Sequence, residues 1–143
     1  MSLLGIIALV VAIAVGLVAI MVLVGGTRLR GMRKAYQARI AVAGDAEHSA
    51  QATFFGQASA GTTQIRGLGT LLLTPSDLVF VQLMPAREAR IPRSAITTTR
   101  TTRHFLGKTQ GRDLLVVMWN ANGIDDAAAF DVADIESWRT RLS

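Results

Sequence analysis

The chain has 143 residues, enough for one modest domain with accessory segments, and half of them are hydrophobic. It contains no cysteine, which excludes disulfide scaffolds and thiolate metal sites and fits a reducing compartment. The formal net charge is +5, and the charged residues are unevenly distributed along the chain.

An apolar segment opens the chain: residues 3–26 read LLGIIALVVAIAVGLVAIMVLVGG and carry no charge. A helix of about 24 residues spans about 36 Å, more than the roughly 30 Å hydrocarbon core of a bilayer. A secretory signal peptide is the alternative, but it has a positively charged start and an apolar run of only about 7–15 residues. Only Met1 and Ser2 precede this run, so we predict a transmembrane helix over residues 1–26.

Small residues recur along one stripe of this predicted helix. Ala8, Ala12 and Gly16 are four residues apart, and Ala19 lies close to the same line. Such a stripe lets a second helix approach closely, but alanine and glycine are also common in membrane helices without a partner, and both interpretations stay open. The span contains no ionisable side chain, which argues against a proton relay or ion path within it.

The charges that follow the apolar segment predict its orientation. They are Arg28, Arg30, Arg33, Lys34 and Arg39, with no acidic residue among them. By the positive-inside rule, the N-terminus faces out and the C-terminal part lies in the cytoplasm. We therefore predict a single-pass protein of the cell membrane.

Residues 27–50 are predicted to form a basic juxtamembrane helix and a linker. Within 27–42, an apolar stripe with helical spacing consists of Leu29, Met32, Tyr36 and Ile40. Arg28, Arg30, Arg33 and Lys34 are candidates for contact with anionic headgroups, although basic flanks are also ordinary stop-transfer signals. The small, polar stretch 43–52 is predicted to be a linker in which His48 is solvated.

Residues 51–143 are predicted to be one cytoplasmic, mainly-β domain. Strands are predicted at 52–58, 69–75, 77–84, 88–92, 95–105, 112–121 and 125–132, with a tight turn at Asn122-Gly123. Residues 133–142 predict a helix with Asp134 as N-cap and Trp138 on its apolar face. About seven antiparallel strands and one closing helix indicate a partly open barrel or sandwich.

Four segments of this domain resemble bacterial pleckstrin-homology-like and GRAM-like domains: GLGTLLLTPSDLVF, REARIPRSAI, HFLGKTQGRDLLVVMW and DDAAAFDVADIESW. In such domains an LT…L.F hairpin, an IP…I strand, an LLVV strand and a C-terminal W…L helix recur. The whole chain also resembles short, uncharacterised bacterial proteins with one membrane helix before such a domain. The resemblance implies the fold far more than an activity. Family members that bind phosphoinositides carry a basic motif at the first hairpin, where this sequence has only Arg66.

A phosphate-binding loop is suggested by Gly107-Lys108-Thr109, but its spacing fails. The motif GxxxxGK[ST] needs a glycine at position 102, which is Thr102. A dinucleotide fingerprint that begins at Gly67 fails in the same way, because Leu72 stands where glycine or alanine is needed. Gly107 and Gly111 are better explained as turn residues between strands.

Catalysis has little support in the sequence. The chain has two histidines, His48 and His104. No carboxylate lies close enough in sequence to His104 to orient its ring. Asp125 and Asp126 are neighbours in a predicted strand, so their side chains point to opposite faces. We predict no catalytic residue, no metal site and no cofactor, and an enzyme is the least favoured class.

A basic stretch remains, and it carries most of the positive charge of the domain. Its members are Arg87, Arg90, Arg93, Arg100, Arg103, Lys108 and Arg112. Only Glu88 opposes them, whereas the chain after residue 112 is mainly acidic. These side chains are candidates for contact with anionic lipid or an acidic protein, or they belong to a solvated edge strand. Nucleic acid is disfavoured because exposed aromatic residues are not interleaved with the charges.

The sequence as a whole predicts a non-catalytic accessory or adaptor protein, a small subunit or interaction module of a larger membrane complex. Its expected partners are membrane lipids and other membrane-protein subunits, with no nucleic acid and no small-molecule substrate. A peripheral module that binds or senses anionic lipid is the alternative.

Overall fold

The computed structural model describes residues 2–61, 64 and 66–143. The chain divides into two compact units, Met1–Ala38 and Arg39–Ser143. One long helix begins in the first unit and ends in the second, and the second unit is otherwise a β-sheet with a short C-terminal helix.

The N-terminal helix, α1, runs without interruption from Leu3 to Val42. Its large apolar side chains between Leu3 and Val24 are 45–79% exposed. By length and composition this helix can cross a membrane, as a membrane anchor or a signal sequence does. The predicted continuation of the helix through residues 27–42 is confirmed.

In the described part of the chain, seven antiparallel strands form one open sheet. They are β1 (His48–Gln57), β2 (Gly67–Leu73), β3 (Asp77–Gln82), β4 (Arg87–Pro92), β5 (Ile96–Phe105), β6 (Lys108–Ala121) and β7 (Ile124–Val132). Their order across the sheet is β4-β3-β2-β1-β7-β6-β5, so β4 and β5 are the two edges. With the C-terminal helix α2 (Ile135–Leu142), this confirms the predicted mainly-β fold.

Two hairpins turn where the sequence predicts tight turns. Asn122 and Gly123 have φ angles of 53° and 81°, and they join β6 to β7. Leu106 and Gly107, with φ angles of 51° and 73°, join β5 to β6 in the same way. Two successive residues with positive φ give the type I′ geometry that suits the twist of antiparallel strands. Gly111, also at positive φ, instead lies within β6, near an irregularity in its pairing with β5.

The main core lies between one face of the sheet and α2. Phe54, Phe80 and Phe130 form a ring cluster with centroids 5.4–5.9 Å apart. Trp138 of α2 is completely buried against this cluster of strand residues, and its contribution explains why an eight-residue helix stays attached to the sheet. Burial of a whole tryptophan side chain contributes several kcal/mol to the free energy of folding.

A second, smaller core lies on the opposite face of the sheet. Leu114 and Val116 of β6 pack there with Phe55 of β1, whereas Leu115 and Val117 belong to the main core. The guanidinium of Arg66 lies 4.2 Å from the ring centroid of Phe55 and helps to cover it. Burial on both faces explains the uninterrupted apolar run in β6.

Two local predictions need correction. The first strand begins at His48, inside the predicted linker, and the His48 ring lies 4.6 Å from the ring of Trp138 instead of being solvated. Asp134 does occupy the N-cap position of α2, but its φ of 56° is left-handed and its side chain makes no capping hydrogen bond. A capping side chain needs an extended backbone at this position.

Candidate interaction surface

The fold divides the predicted basic stretch between the two edges of the sheet. Arg87 and Arg90 lie on β4, and Arg93 follows it in a short 3₁₀ turn. Arg100 and Arg103 lie on β5, and Lys108 and Arg112 lie on β6. Because β4 and β5 are the opposite ends of the strand order, the stretch is distributed over both edge strands of the sheet.

Arg90 is held by groups of its own domain. Its guanidinium donates to the carboxylates of Asp77 at 2.9 Å and Glu88 at 3.2 Å, and to the main-chain oxygen of Ala43 at 3.1 Å. The hydrogen bond to Asp77 raises the pKa of Arg90 above its usual value, against the opposing effect of burial. Arg90 therefore ties the residue that follows α1 to the β3–β4 edge.

Arg93 performs a similar structural role. Its guanidinium donates to Glu47 at 3.0 Å and to the main-chain oxygens of Thr74 at 3.2 Å and Arg141 at 3.3 Å. These contacts connect the segment before β1, the β2–β3 turn and the last turn of α2. A side chain with three internal partners is poorly available to an external ligand.

Arg39 lies in the last turn of α1. In the sequence analysis it counts only among the charges that follow the apolar segment, but its side chain contacts the β-sheet. It donates to the main-chain oxygen of Gln82 at 2.8 Å and to that of Arg87 at 2.7 Å. These two acceptors lie at the end of the β3–β4 hairpin. No local pattern in the sequence signals such a long-range pairing.

The charges near β5 are more accessible. Arg103 pairs with Asp113 at 3.1 Å, but the two side chains are 66% and 54% exposed, and such pairs contribute little. Arg112 pairs with Asp131 at 2.9 Å, and Lys108 donates to the main-chain oxygen of Gln64. Arg100 is exposed, and within the described part of the chain no carboxylate lies at ion-pair distance from it.

Two open grooves lie beside β5 and α2. One, of about 660 Å³, is lined by Thr101 and Arg103 of β5 and by Glu136 of α2, among others. The other, of about 470 Å³, lies between the stretch Ile96–Thr99 and the α2 residues Thr140 and Leu142. The edge of β5 is therefore flanked by space on the side of α2.

The paired acids have structural partners on different sides of β7. Asp125 accepts a hydrogen bond from the side chain of Asn120, whereas Asp126 accepts from Gln57 and Ser59 at 2.7 Å each. Burial favours a higher pKa for Asp126, but hydrogen bonds from Ser59, Gln57 and Ala127 outweigh it and hold the pKa below its usual value. Among the described residues, no group of three or more histidine or acidic side chains has a metal-binding arrangement.

The candidate residues of α1 all lie on its exposed surface. This holds for the small residues Ala8, Ala12, Gly16 and Ala19 and for the basic residues Arg28, Arg30, Arg33 and Lys34. Around Gly16 there is no atom within 4 Å of the position that a Cβ would take, so the helix face is open there. Lipid or helix contacts of these residues stay predictions.

No protein family and no curated protein matches the chain. A solved structure does match: the C-terminal domain of an unknown protein from Leishmania infantum. The two are 13% identical with a TM-score of 0.51, and the match covers 80% of this chain and 94% of that one. At this identity the likeness concerns the fold alone.

Proposed function

We propose that this chain is a single-pass membrane protein whose cytoplasmic, pleckstrin-homology-like domain is a non-catalytic interaction module of a larger membrane assembly. The observation that carries the proposal is the continuous row of exposed apolar side chains on α1 between Leu3 and Val24. Each large aliphatic side chain left in water forgoes about 1.5–3 kcal/mol of burial free energy. A bilayer, or helices within it, would provide that burial, and the basic residues after the helix favour a cytoplasmic domain.

The family part of the proposal rests on the strand order and on the quoted sequence motifs. The pleckstrin-homology-like resemblance implies about seven antiparallel strands and a closing C-terminal helix with a tryptophan, and the described chain has β1 to β7 followed by α2 with Trp138. The non-catalytic part rests on how the polar side chains are used. Arg90, Arg93 and Asp126 are occupied in holding the fold, and His48 packs against Trp138.

Co-purification from native membranes tests the role as a subunit. The tagged chain is extracted in a gentle detergent, and the size and composition of the eluted particle are measured. We expect a particle larger than one chain with its micelle, containing one or more other membrane proteins in fixed proportion. A lone monomer without partners would overturn the proposal.

A pair of matched variants tests whether the small-residue stripe contributes. Ala12→Leu fills the stripe, whereas Ala14→Leu makes the same change about 200° around the helix. We expect the first variant to reduce co-purification of the partner and the second to leave it unchanged, because close helix packing needs small residues only on the contact face. If both variants change co-purification equally, the small-residue stripe is not part of the interface.

The alternative, an anionic-lipid-binding module, is favoured by the exposed basic run at Arg28, Arg30, Arg33 and Lys34. Each basic residue near an anionic surface contributes about 1 kcal/mol. A chain shortened to residues 27–143 is mixed with vesicles of phosphatidylcholine, with and without phosphatidylglycerol. Binding that requires the anionic lipid would support the alternative. Loss of binding on removal of the charges at 28, 30 and 33 would place the lipid contact on α1, and loss on removal of those at 100, 103 and 108 would place it on β5 and β6. Binding independent of charge would exclude it.

A further inference from the structure

Two adjacent glycines lie in the interior of α1. Gly25 and Gly26 are the only such pair in the sequence, and the helix continues on both sides of them. Glycine lowers helix stability more than any other residue except proline. Tertiary packing can compensate for this loss, but within the described chain no atom lies within 4 Å of the Cβ position of either glycine. The helix is therefore intrinsically weak at this pair.

A hydrogen bond beside the pair weakens the same turn. The hydroxyl of Thr27 donates to the main-chain oxygen of Val24 at 3.0 Å. In an α-helix this oxygen is the acceptor for the main-chain N–H four residues later, at Arg28. A threonine hydroxyl that competes for such an oxygen often bends the helix. Residues 25–27 thus all favour a bend at one place.

The pair also lies where a bend is least costly. It ends the apolar run, and the first charged residue, Arg28, follows within one turn. A main-chain hydrogen bond broken inside the hydrocarbon has no replacement, whereas water replaces it at the membrane border. Gly16 is equally open but lies within the apolar run, and Gly31 is a single glycine. A bend is therefore expected at 25–26 and not at the other two.

The helix beyond the pair has an apolar stripe with basic residues beside it. Leu29 and Met32 of the stripe are 68% and 38% exposed. At about 100° per residue, Arg28 and Arg33 lie on its two sides. A helix of this kind lies in the plane of a membrane surface, with its apolar side chains at the acyl boundary and its basic side chains at anionic headgroups.

We propose that Gly25–Gly26 is a hinge at which residues 27–38 turn from the direction of the membrane span onto the anionic surface of the same membrane. That surface is within reach because residue 27 directly follows the apolar run. The inference rests on the membrane span of the proposed function and goes beyond it, because it makes the direction of residues 27–38 depend on the lipid.

A distance within α1 tests the hinge. The chain has no cysteine, so nitroxide labels are attached through Ala14→Cys and Ala35→Cys, both at exposed positions on either side of the pair. The labelled full-length chain is diluted with unlabelled chain, reconstituted in phosphatidylcholine vesicles with phosphatidylglycerol, and measured by double electron–electron resonance. A straight helix separates the two main-chain positions by about 32 Å, and a right-angle bend at the pair by about 22 Å. We expect a mean distance at least about 5 Å shorter than that of the straight helix.

Two matched variants locate the bend. Gly25→Ala with Gly26→Ala strengthens the helix at the pair, and we expect it to restore the distance of about 32 Å. Gly16→Ala with Gly31→Ala makes the same two changes between the same labels, and we expect it to keep the shorter distance. Circular dichroism confirms that both variants remain helical.

The surface contact is measured separately, with a single nitroxide at Met32→Cys. We expect this label to be more accessible to oxygen, which concentrates in lipid, than to a water-soluble nickel complex. The preference is expected to reverse in the Gly25→Ala, Gly26→Ala variant, and in vesicles of phosphatidylcholine alone, because the basic side chains then lack anionic partners.

Each contrary outcome overturns a stated part. A straight-helix distance in the unsubstituted chain overturns the hinge, and loss of the shorter distance in the Gly16→Ala, Gly31→Ala variant overturns its position. Equal distances with and without phosphatidylglycerol, or a label at position 32 that prefers the nickel complex throughout, overturn the anionic surface as the contact. A label at position 14 that is open to the nickel complex would instead contradict the membrane span, so failure of the proposed function is distinguishable from failure of the hinge.

Discussion

The guanidinium of Arg39 donates a hydrogen bond to the main-chain oxygen of Gln82 at 2.8 Å. Arg39 belongs by sequence to a basic flank of an apolar helix, and the structure makes it part of the domain. It shares this role with Arg90 and Arg93, which also donate to main-chain oxygens. Arg39, a positive charge at the end of the apolar helix, therefore has a structural role in the domain that composition does not reveal.

Replacing Arg39 by alanine is expected to destabilise the domain. The substitution removes two hydrogen bonds from a charged donor, each of a type that contributes about 1.5–3 kcal/mol. Since the acceptors are at the end of a hairpin and water can replace the donor, we expect a loss of about 2 kcal/mol. Urea unfolding of the full chain in detergent, followed by tryptophan fluorescence, measures it.

Arg33→Ala is the matched control for that variant. Arg33 is exposed on α1, so its removal is expected to change the free energy of unfolding by less than about 0.5 kcal/mol. Equal destabilisation by the two variants would show that the contacts of Arg39 are not what stabilises the domain.

Gly69→Ala is expected to be more damaging than its size suggests. A Cβ at position 69 would lie 2.2 Å from the main-chain oxygen of Val81 and 2.8 Å from a ring carbon of Phe80. A main-chain atom cannot move aside without breaking the β2–β3 pairing, so we expect a loss of about 3 kcal/mol or more. Thermal unfolding checks this, with Gly25→Ala as control because no atom lies within 4 Å of that site. A small loss at position 69 would contradict the close approach of β2 and β3.

Asp126 is expected to make stability depend on pH in the acid range. Its pKa is lower in the folded state, so its contribution is present above the unfolded-state value of about 3.9 and is lost as the pH falls through the lower folded-state value. Asp126→Asn is therefore expected to reduce stability at pH 7 and to flatten its decline below about pH 4. Urea unfolding between pH 3 and 7 measures both effects.

Asp125→Asn is the control for that profile, because Asp125 is exposed and its single described side-chain partner is Asn120. We expect it to leave the acid dependence of wild type in place. An unchanged profile for Asp126→Asn would show that its hydrogen bonds to Ser59 and Gln57 do not lower the pKa.

The predicted orientation is testable because the chain contains no cysteine. Single cysteines are introduced as Ser2→Cys and Ser143→Cys and are treated in whole cells with a membrane-impermeant maleimide. We expect labelling at position 2 only, since the basic flank favours a cytoplasmic domain. Labelling at position 143, or a mature protein that lacks the apolar segment, would contradict the single-pass topology.

What the sequence predicted well depends on local chemistry. Asn122-Gly123 forms a type I′ turn because these residue types tolerate positive φ, and no distant contact is needed to recognise it. No distant contact is needed to recognise α1 either, because a single long apolar segment can satisfy its main-chain hydrogen bonds in lipid only as a helix. Thr102 breaks the glycine spacing of a phosphate loop, and Leu106-Gly107 forms the predicted turn between β5 and β6.

What the sequence did not predict depends on distant partners. The start of β1 was missed because Ala50 and Ala52 face inward where strands usually have branched residues, so the alternation of burial was hidden. His48 seemed solvated because Trp138, its ring partner, is 90 positions later in the chain. The distribution of the basic stretch over two edge strands is decided by strand order, which the spacing of the charges along the sequence does not reveal.

The position of β1 between β2 and β7 has a consequence for biosynthesis. Every other strand pair in the described chain joins neighbours along the sequence, and only β1–β7 joins the beginning of the sheet to its end. The β1–β4 meander can form soon after it leaves the ribosome, but Phe54 acquires its partner Phe130 only after the chain between them, with β5 and β6, has been made. Until then one long side of β1 stays open to any other extended chain, so β1 is protected only by the last strand of its own sheet, β7.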